Sequence, residues 1–227
     1  MQKVAFFDID GTVFRSSLLI ELMERLISEE IIPESVRDEY YTHYAAWRNR
    51  EGTYEAYLSA MIDSYLRHIK GVHYGEVADS GREMVDENAK RVYRYTRDLI
   101  PKLKERGYYL VAISQSPKAI LDEFCTTYGF DKVYGRIYEI GPTDRFTGTV
   151  TDEELIKNKA AIVERVFDRG EFDRKNSIAV GDTEGDIPML AAVDDPICFN
   201  PNNTLYQHAL KMGWKVVVER KDVIYEL

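Results

Sequence analysis

Residues 3–14 read KVAFFDIDGTVF, and this stretch decides the fold. Val4 to Phe7 is an apolar run, the mark of a short buried strand. It runs straight into Asp8-Ile9-Asp10 and then Gly11-Thr12. Side chains at i and i+2 of a strand share a face, so Asp8 and Asp10 can reach one pocket at the strand's carboxyl end. Two carboxylates so close repel each other unless a positive group lies between them. Taken alone, the pair also fits an ordinary strand-to-loop exit.

Working outward, further strand-like runs occur at 108–113 (YYLVAI), 133–138, 177–180 (SIAV) and 197–199. Helical patterns separate most of them. One covers Leu99 to Arg106 and closes at Gly107. Another covers Pro117 to Tyr128, with Pro just inside its start and Gly129 just past its end. A third covers Asn158 to Phe167. Strand–helix alternation predicts an α/β fold with a doubly wound, mostly parallel Rossmann-like sheet.

Between 15 and 85 the texture changes. Leu18, Leu19, Leu22, Met23 and Leu26 form one helical stripe. Pro33 interrupts, and Ser35 with Asp38 three residues on is expected to cap a new helix. Tyr54, Tyr57, Leu58, Met61, Ile62 and Tyr65 form a second stripe, which Gly71 and Gly75 are expected to break. The expected division is therefore a catalytic core from residues 1–14 and 86–227, with an inserted all-helical cap at 15–85. The insert leaves from the carboxyl end of the first strand, where open α/β sheets bind ligands, and is placed to act as a lid.

The bulk composition excludes several function classes. The chain has 227 residues, 44% hydrophobic and 30% charged, as in ordinary globular proteins. Its 30 basic and 39 acidic side chains leave a net charge of -9, so it lacks the concentrated basic face that nucleic acid or an anionic membrane requires. Cys125 and Cys198 stand far apart outside any CxxC pattern and read as buried, unreactive thiols. No apolar run resembles a signal peptide or approaches the ~18 residues of a membrane span. The expected location is the cytoplasm. The oligomeric state is unknown from the sequence.

A second acidic cluster follows the apolar run Ile178-Ala179-Val180, in the segment GDTEGDIPML at 181–190. Asp182 and Asp186 are four apart, so a helix starting in this turn can place both on one side. Mg²⁺ takes oxygen ligands and keeps several waters, so one or two carboxylates plus a substrate phosphate suffice. Asp8, Asp182 and a backbone carbonyl fit that preference. Ser114 directly follows YYLVAI, where its hydroxyl can meet a phosphate oxygen or simply cap a helix. Lys159 can offset the carboxylates if it points inward, with Lys157 as a competitor.

These elements, DIDGT, a Ser after a strand, a Lys on a helix and GDxxxD, occur in an order that resembles the haloacid dehalogenase superfamily of phosphohydrolases. The resemblance is to its phosphoserine phosphatase-like branch, which carries a helical cap between the first and second motifs. It implies a Mg²⁺-dependent phosphatase acting on a small phosphorylated metabolite through an aspartyl phosphate. It implies Asp8 as nucleophile and Asp10 as acid and then base. Asp8, Asp182 and the Asp10 carbonyl would hold Mg²⁺. Ser114 and Lys159 would meet the phosphate, with the Gly11-Thr12 amides facing it, and Asp186 would orient Lys159 or a metal-bound water.

The chain departs from that branch in three places. Ser114-Gln115-Ser116 stands where Ser-Gly-Gly is usual, Ser17 where a Glu meets the substrate ammonium, and no Arg occurs near 57–62. These departures place phosphoserine below other small monoesters. Phosphoserine phosphatase proper, a phosphotransferase passing the group to an alcohol, and a catalytically retired binding protein remain alternatives. The cap tyrosines read mainly as packing residues, with some able to line a pocket for an aromatic or sugar moiety. Arg48 and Arg50 read as a solvated helix end before a contact with a second anionic group, and His43, His68 and His73 as surface or core histidines.

Overall fold

The computed structural model describes residues 1–227. Its centre is an eight-stranded sheet in the order β4-β3-β2-β1-β5-β6-β7-β8. The strands are β1 (Lys3–Asp8), β2 (Tyr108–Pro117), β3 (Lys132–Ile140), β4 (Phe146–Thr151), β5 (Ile178–Gly181), β6 (Asp195–Phe199), β7 (Lys215–Arg220) and β8 (Val223–Glu226). The pairs from β3 through β1 to β7 are parallel, and only the outer strands β4 and β8 run antiparallel. The five strands read from the sequence are present. β4, β7 and β8 add to them.

The helices are α1 (Leu18–Ser28), α2 (Arg37–Arg48), α3 (Tyr54–Ile69), α4 (Tyr74–Asn88), α5 (Arg94–Glu105), α6 (Lys118–Thr127), α7 (Glu153–Lys157), α8 (Lys159–Phe167), α9 (Ile187–Leu190) and α10 (Asn203–Met212). Alternate residues of β1 explain why Val4 to Phe7 are all apolar. Val4 and Phe6 enter one core with Ile162 and Val166 of α8 and Leu205 of α10. Ala5 and Phe7 enter the other, with Leu121 and Phe124 of α6. Both faces are covered along Val4–Phe7, so the polar residues Lys3 and Asp8 stand at the strand's two ends.

The four helices of the inserted stretch have no separate core. Leu18, Leu22, Tyr65 and Met84 belong to the same apolar cluster as Phe7 and Leu110. Two local expectations are corrected. Ser35 does not cap α2, because a 3-10 turn (Glu34–Val36) leads directly into it without a side-chain cap. Gly75 does not break a helix but lies inside α4, where its amide donates to His73 Nδ1 at 3.0 Å. His73 is thus the cap of α4, and His68 bonds Glu39 at 2.8 Å, joining α3 to α2. No helix is long and apolar enough to cross a membrane.

The order of the sheet fixes the site. From β1 the chain proceeds to β2 and β3 on one side, and it returns to β5 on the other. The carboxyl ends of β1 and β5 therefore flank the topological switch point, where such sheets open a crevice. Asp8 ends β1, and Asp182 directly follows β5.

Candidate active site

Asp8 is buried at the end of β1, and its two oxygens differ. Oδ1 accepts from Lys159 Nζ at 2.6 Å. Oδ2 is buried and has no partner. Lys159 is the first residue of α8, whose start is fixed by Asn158 accepting from the Ala161 amide. From there Lys159 also donates to Asp186 Oδ1 at 2.5 Å. Lys157 instead pairs with Glu153 at 2.9 Å and stays half exposed. Lys159, not Lys157, is the buried cation.

Asp186 completes the platform. Its Oδ2 accepts the amides of Asp182 at 2.9 Å and Thr183 at 3.1 Å, closing a capping box at the turn after β5. Both of its oxygens are thus engaged. Although Asp8, Asp182 and Asp186 can each offer an oxygen within 4.8 Å of the others, Asp186 orients Lys159 and leaves Asp8 and Asp182 as the carboxylates with capacity for a cation. Asp182 Oδ1 accepts from the Thr12 hydroxyl at 3.1 Å. A Cβ on Gly11 would meet Asp182 Oδ2 at 2.3 Å, and Gly11 has φ +84°. Only glycine satisfies both conditions.

Asp10 is held on both oxygens. Oδ1 accepts the Leu18 amide at 2.6 Å. Oδ2 accepts the hydroxyl of Ser116 at 2.8 Å and also that of Ser114. Ser114 therefore donates to Asp10, and its expected contact with phosphate requires an exchange of partner. The expected role of the Gly11 and Thr12 amides is corrected outright. Gly11 N donates to the carbonyls of Phe14 at 2.9 Å and Ser16 at 3.1 Å, and Thr12 N donates to that of Ile9 at 3.3 Å. The turn consumes both amides.

Four carboxylates, Asp8, Asp10, Asp182 and Asp186, thus surround one buried ammonium. Burial raises the Asp8 carboxyl to about 7, because Lys159 only partly offsets it and Asp186 and Asp10 push the same way. Burial also raises Asp182 well above its ordinary range, reinforced by Asp8 and Asp186. Asp10 is raised too, chiefly by burial, against the hydrogen bonds from Ser114, Leu18 and Ser116. The opposite holds at Lys159. Burial lowers its pKa, but Asp186 and Asp8 outweigh that and keep it charged. The orphan oxygen of Asp8 and the surplus negative charge fit a divalent cation with oxygen ligands.

Above these residues lies a cleft of about 430 Å³ between the sheet and the inserted helices. From the insert it is lined by Trp47, Arg50, Tyr54 and Leu58, and from the sheet side by Gln115 and Glu184 among others. Burial raises the Tyr54 hydroxyl's pKa, and the charges of Asp10 and Asp182 push the same way. Arg50 and Tyr54 line the cleft, the alternative that the sequence reading ranked below a solvated helix end and a packing role. Tyr57 and Tyr65 are buried packing residues, as expected. Trp47 stacks on Tyr57 at 5.6 Å and 15°, so the cleft's aromatic wall is anchored in the core. Cys125 and Cys198 are both buried and free, and burial raises both thiols.

A model of haloacid dehalogenase-like hydrolases matches residues 5–191, which contain every residue of this cluster. The chain belongs to this family. Similar proteins include the histidinol-phosphatase of Neisseria meningitidis serogroup C, 23% identical over 96% of this chain and 99% of that protein. The phosphoserine phosphatase SerB1 of Mycobacterium tuberculosis is 25% identical over 95% of this chain and 70% of its own length. Among solved structures, a protein of unknown function from Bordetella pertussis Tohama I superimposes with a TM-score of 0.76 at 18% identity, covering 95% of this chain and 98% of that one. A phospho-aspartyl intermediate analogue of phosphoserine phosphatase gives 0.64 at 21% identity, covering 97% and 95%. These superpositions establish the shared fold.

Proposed function

We propose that the protein is a Mg²⁺-dependent phosphatase that hydrolyses a small phosphate monoester through a phosphoryl group carried on Asp8. One observation carries this reading. Asp8 is anchored by Lys159 through one oxygen, while its other oxygen is buried and unpartnered at the floor of the cleft. Such a carboxylate is oriented, and it keeps lone pairs for a cation and for phosphorus. Relatives bearing phosphatase names support the reaction class.

Asp8, Asp182 and the Asp10 carbonyl would hold Mg²⁺, which when bound supplies the positive charge that the four carboxylates and a phosphate dianion require. In the first step an Asp8 oxygen forms a bond to phosphorus while the ester P–O bond breaks. Asp10, kept protonated more readily by its burial, gives its proton to the departing alkoxide. In the second step Asp10 takes a proton from water as the water oxygen bonds to phosphorus. The P–O bond to Asp8 then breaks, which releases phosphate and restores the carboxylate. One group thus serves as acid and then base. Lys159 holds Asp8 in line and offsets charge on the phosphoryl oxygens, where positioning and electrostatics dominate. Ser114 joins them by exchanging Asp10 for a phosphoryl oxygen.

The division into a core of 1–14 and 86–227 and a cap of 15–85 belongs to the same proposal, with α4 continuing through the second boundary to Asn88. The cap supplies the specificity wall. Its Arg50 and Tyr54 face a leaving group, with Glu55 and Glu184 nearby. A cleft offering both signs of charge and an aromatic side suits a small polar metabolite. The test is to mix the protein with a ³²P-labelled monoester and Mg²⁺, quench in acid and map the label. Label on the peptide containing Asp8 is expected. Turnover with label on another residue, or with none at any quench time, contradicts the reading.

A further inference from the structure

We propose that Ser116 is a positioning residue for Asp10, fixing the carboxyl from which the leaving group takes its proton. The inference rests on the phosphatase reading above. Ser116 is 2% exposed near the end of β2. Its Oγ accepts the Leu19 amide at 3.1 Å and lies 2.8 Å from Asp10 Oδ2. An amide can only donate, so the hydroxyl's single proton is left for Asp10. With Oδ2 unprotonated, the bond therefore runs from the Ser116 hydroxyl to Asp10.

Asp10 and Ser116 together receive the first two amides of α1. Leu18 N donates to Asp10 Oδ1 at 2.6 Å, and Leu19 N donates to Ser116. The carboxyl group is thereby gripped on one oxygen by the helix and on the other by β2. The second hydroxyl on Oδ2 belongs to Ser114, which also accepts the Ser116 amide at 2.9 Å. In the proposed turnover Ser114 leaves Asp10 for the phosphoryl oxygen. Ser116 and the Leu18 amide are then the groups that still hold the acid. A residue with no side chain at 116, as in Ser-Gly-Gly, cannot provide this. The Ser114-Gln115-Ser116 departure thus acquires a role. The competing explanation is that Ser116 merely satisfies the buried Leu19 amide.

The experiment exploits what an acid does. Protonation matters greatly for an alkoxide leaving group and little for p-nitrophenolate. With Mg²⁺ present, kcat/KM is measured for p-nitrophenyl phosphate and for an alkyl monoester such as glycerol 2-phosphate, in the wild type and in Ser116→Ala, Ser116→Gly and Ser116→Thr. Thermal melting checks that each variant is folded. Ala and Gly are expected to lose about tenfold more activity on the alkyl ester than on the aryl ester, and Thr, which keeps the hydroxyl, is expected to restore the ratio. Equal losses on both esters, or an unchanged ratio in both hydroxyl-free variants, overturn the role of Ser116 and leave the phosphatase reading standing. A wild-type protein that releases phosphate from neither ester defeats that reading, and this inference falls with it.

Discussion

The Lys159 ammonium lies 2.6 Å from Asp8 Oδ1, joining two residues 151 positions apart in the chain. The same nitrogen reaches Asp186 at 2.5 Å, so one cation serves two buried carboxylates while Asp182 and Asp10 stand by. Removing it should be severe. Lys159→Met leaves like charges facing one another in a buried pocket, and breaking such a pair costs about 3–5 kcal/mol. We expect a lower melting temperature in the absence of metal, partly recovered by Mg²⁺, and kcat/KM reduced by about a thousandfold. Calorimetric melting with and without Mg²⁺, alongside phosphate release, checks both halves. An active, fully stable Lys159→Met protein contradicts the electrostatic account.

The raised Asp8 pKa makes stability depend on pH in a definite direction. Between the ordinary carboxylate value of 3.8 and about 7, the folded metal-free protein holds a proton on Asp8 that the unfolded chain has released. Folding is favoured by that proton at low pH, and the contribution is lost as pH rises through the window. The metal-free wild type should therefore lose stability relative to Asp8→Asn as pH increases from about 4 to about 7, and stabilisation by Mg²⁺ should grow over the same range. Melting curves of both proteins at several pH values test this. A stability difference that is flat or rises with pH contradicts it.

Gly11 and Gly71 separate backbone strain from a functional clash. Both have φ +84°, but an added Cβ meets nothing within 4 Å at Gly71, and at Gly11 it meets Asp182 Oδ2 at 2.3 Å. Gly71→Ala should cost about 1 kcal/mol and keep activity. Gly11→Ala should cost more and displace Asp182. Mg²⁺ titration by calorimetry should show weaker affinity in Gly11→Ala alone, by about tenfold or more, as for a disturbed metal site.

The parts of this site that were legible in the sequence are those set by strand register. Asp8 and Asp10 at the end of one apolar run, and Asp182 after another, meet because parallel strands align their carboxyl ends. Lys159 became distinguishable from Lys157 only through the cap at Asn158, which sets where α8 begins. The inward turning of the Gly11 and Thr12 amides depends on turn dihedrals that the residue types permit but do not dictate. Arg50 and Tyr54 face the cleft because α2 packs on α3 and α3 packs against β4, a tertiary fact invisible to periodicity. β7 was missed although Val216, Val217 and Val218 form a β-branched run that carries the signal. β4 offers no such signal, because its FTGTVT carries Gly148 and little apolar surface.

The central claim is that Asp8 carries the reaction, and its most direct test is the rate of inorganic phosphate release from p-nitrophenyl phosphate with Mg²⁺, wild type against Asp8→Asn. Asparagine keeps the side chain's shape and removes the charge needed to attack phosphorus. The account predicts release by the wild type and a loss of about a thousandfold or more in Asp8→Asn. Near-normal release by Asp8→Asn would contradict it.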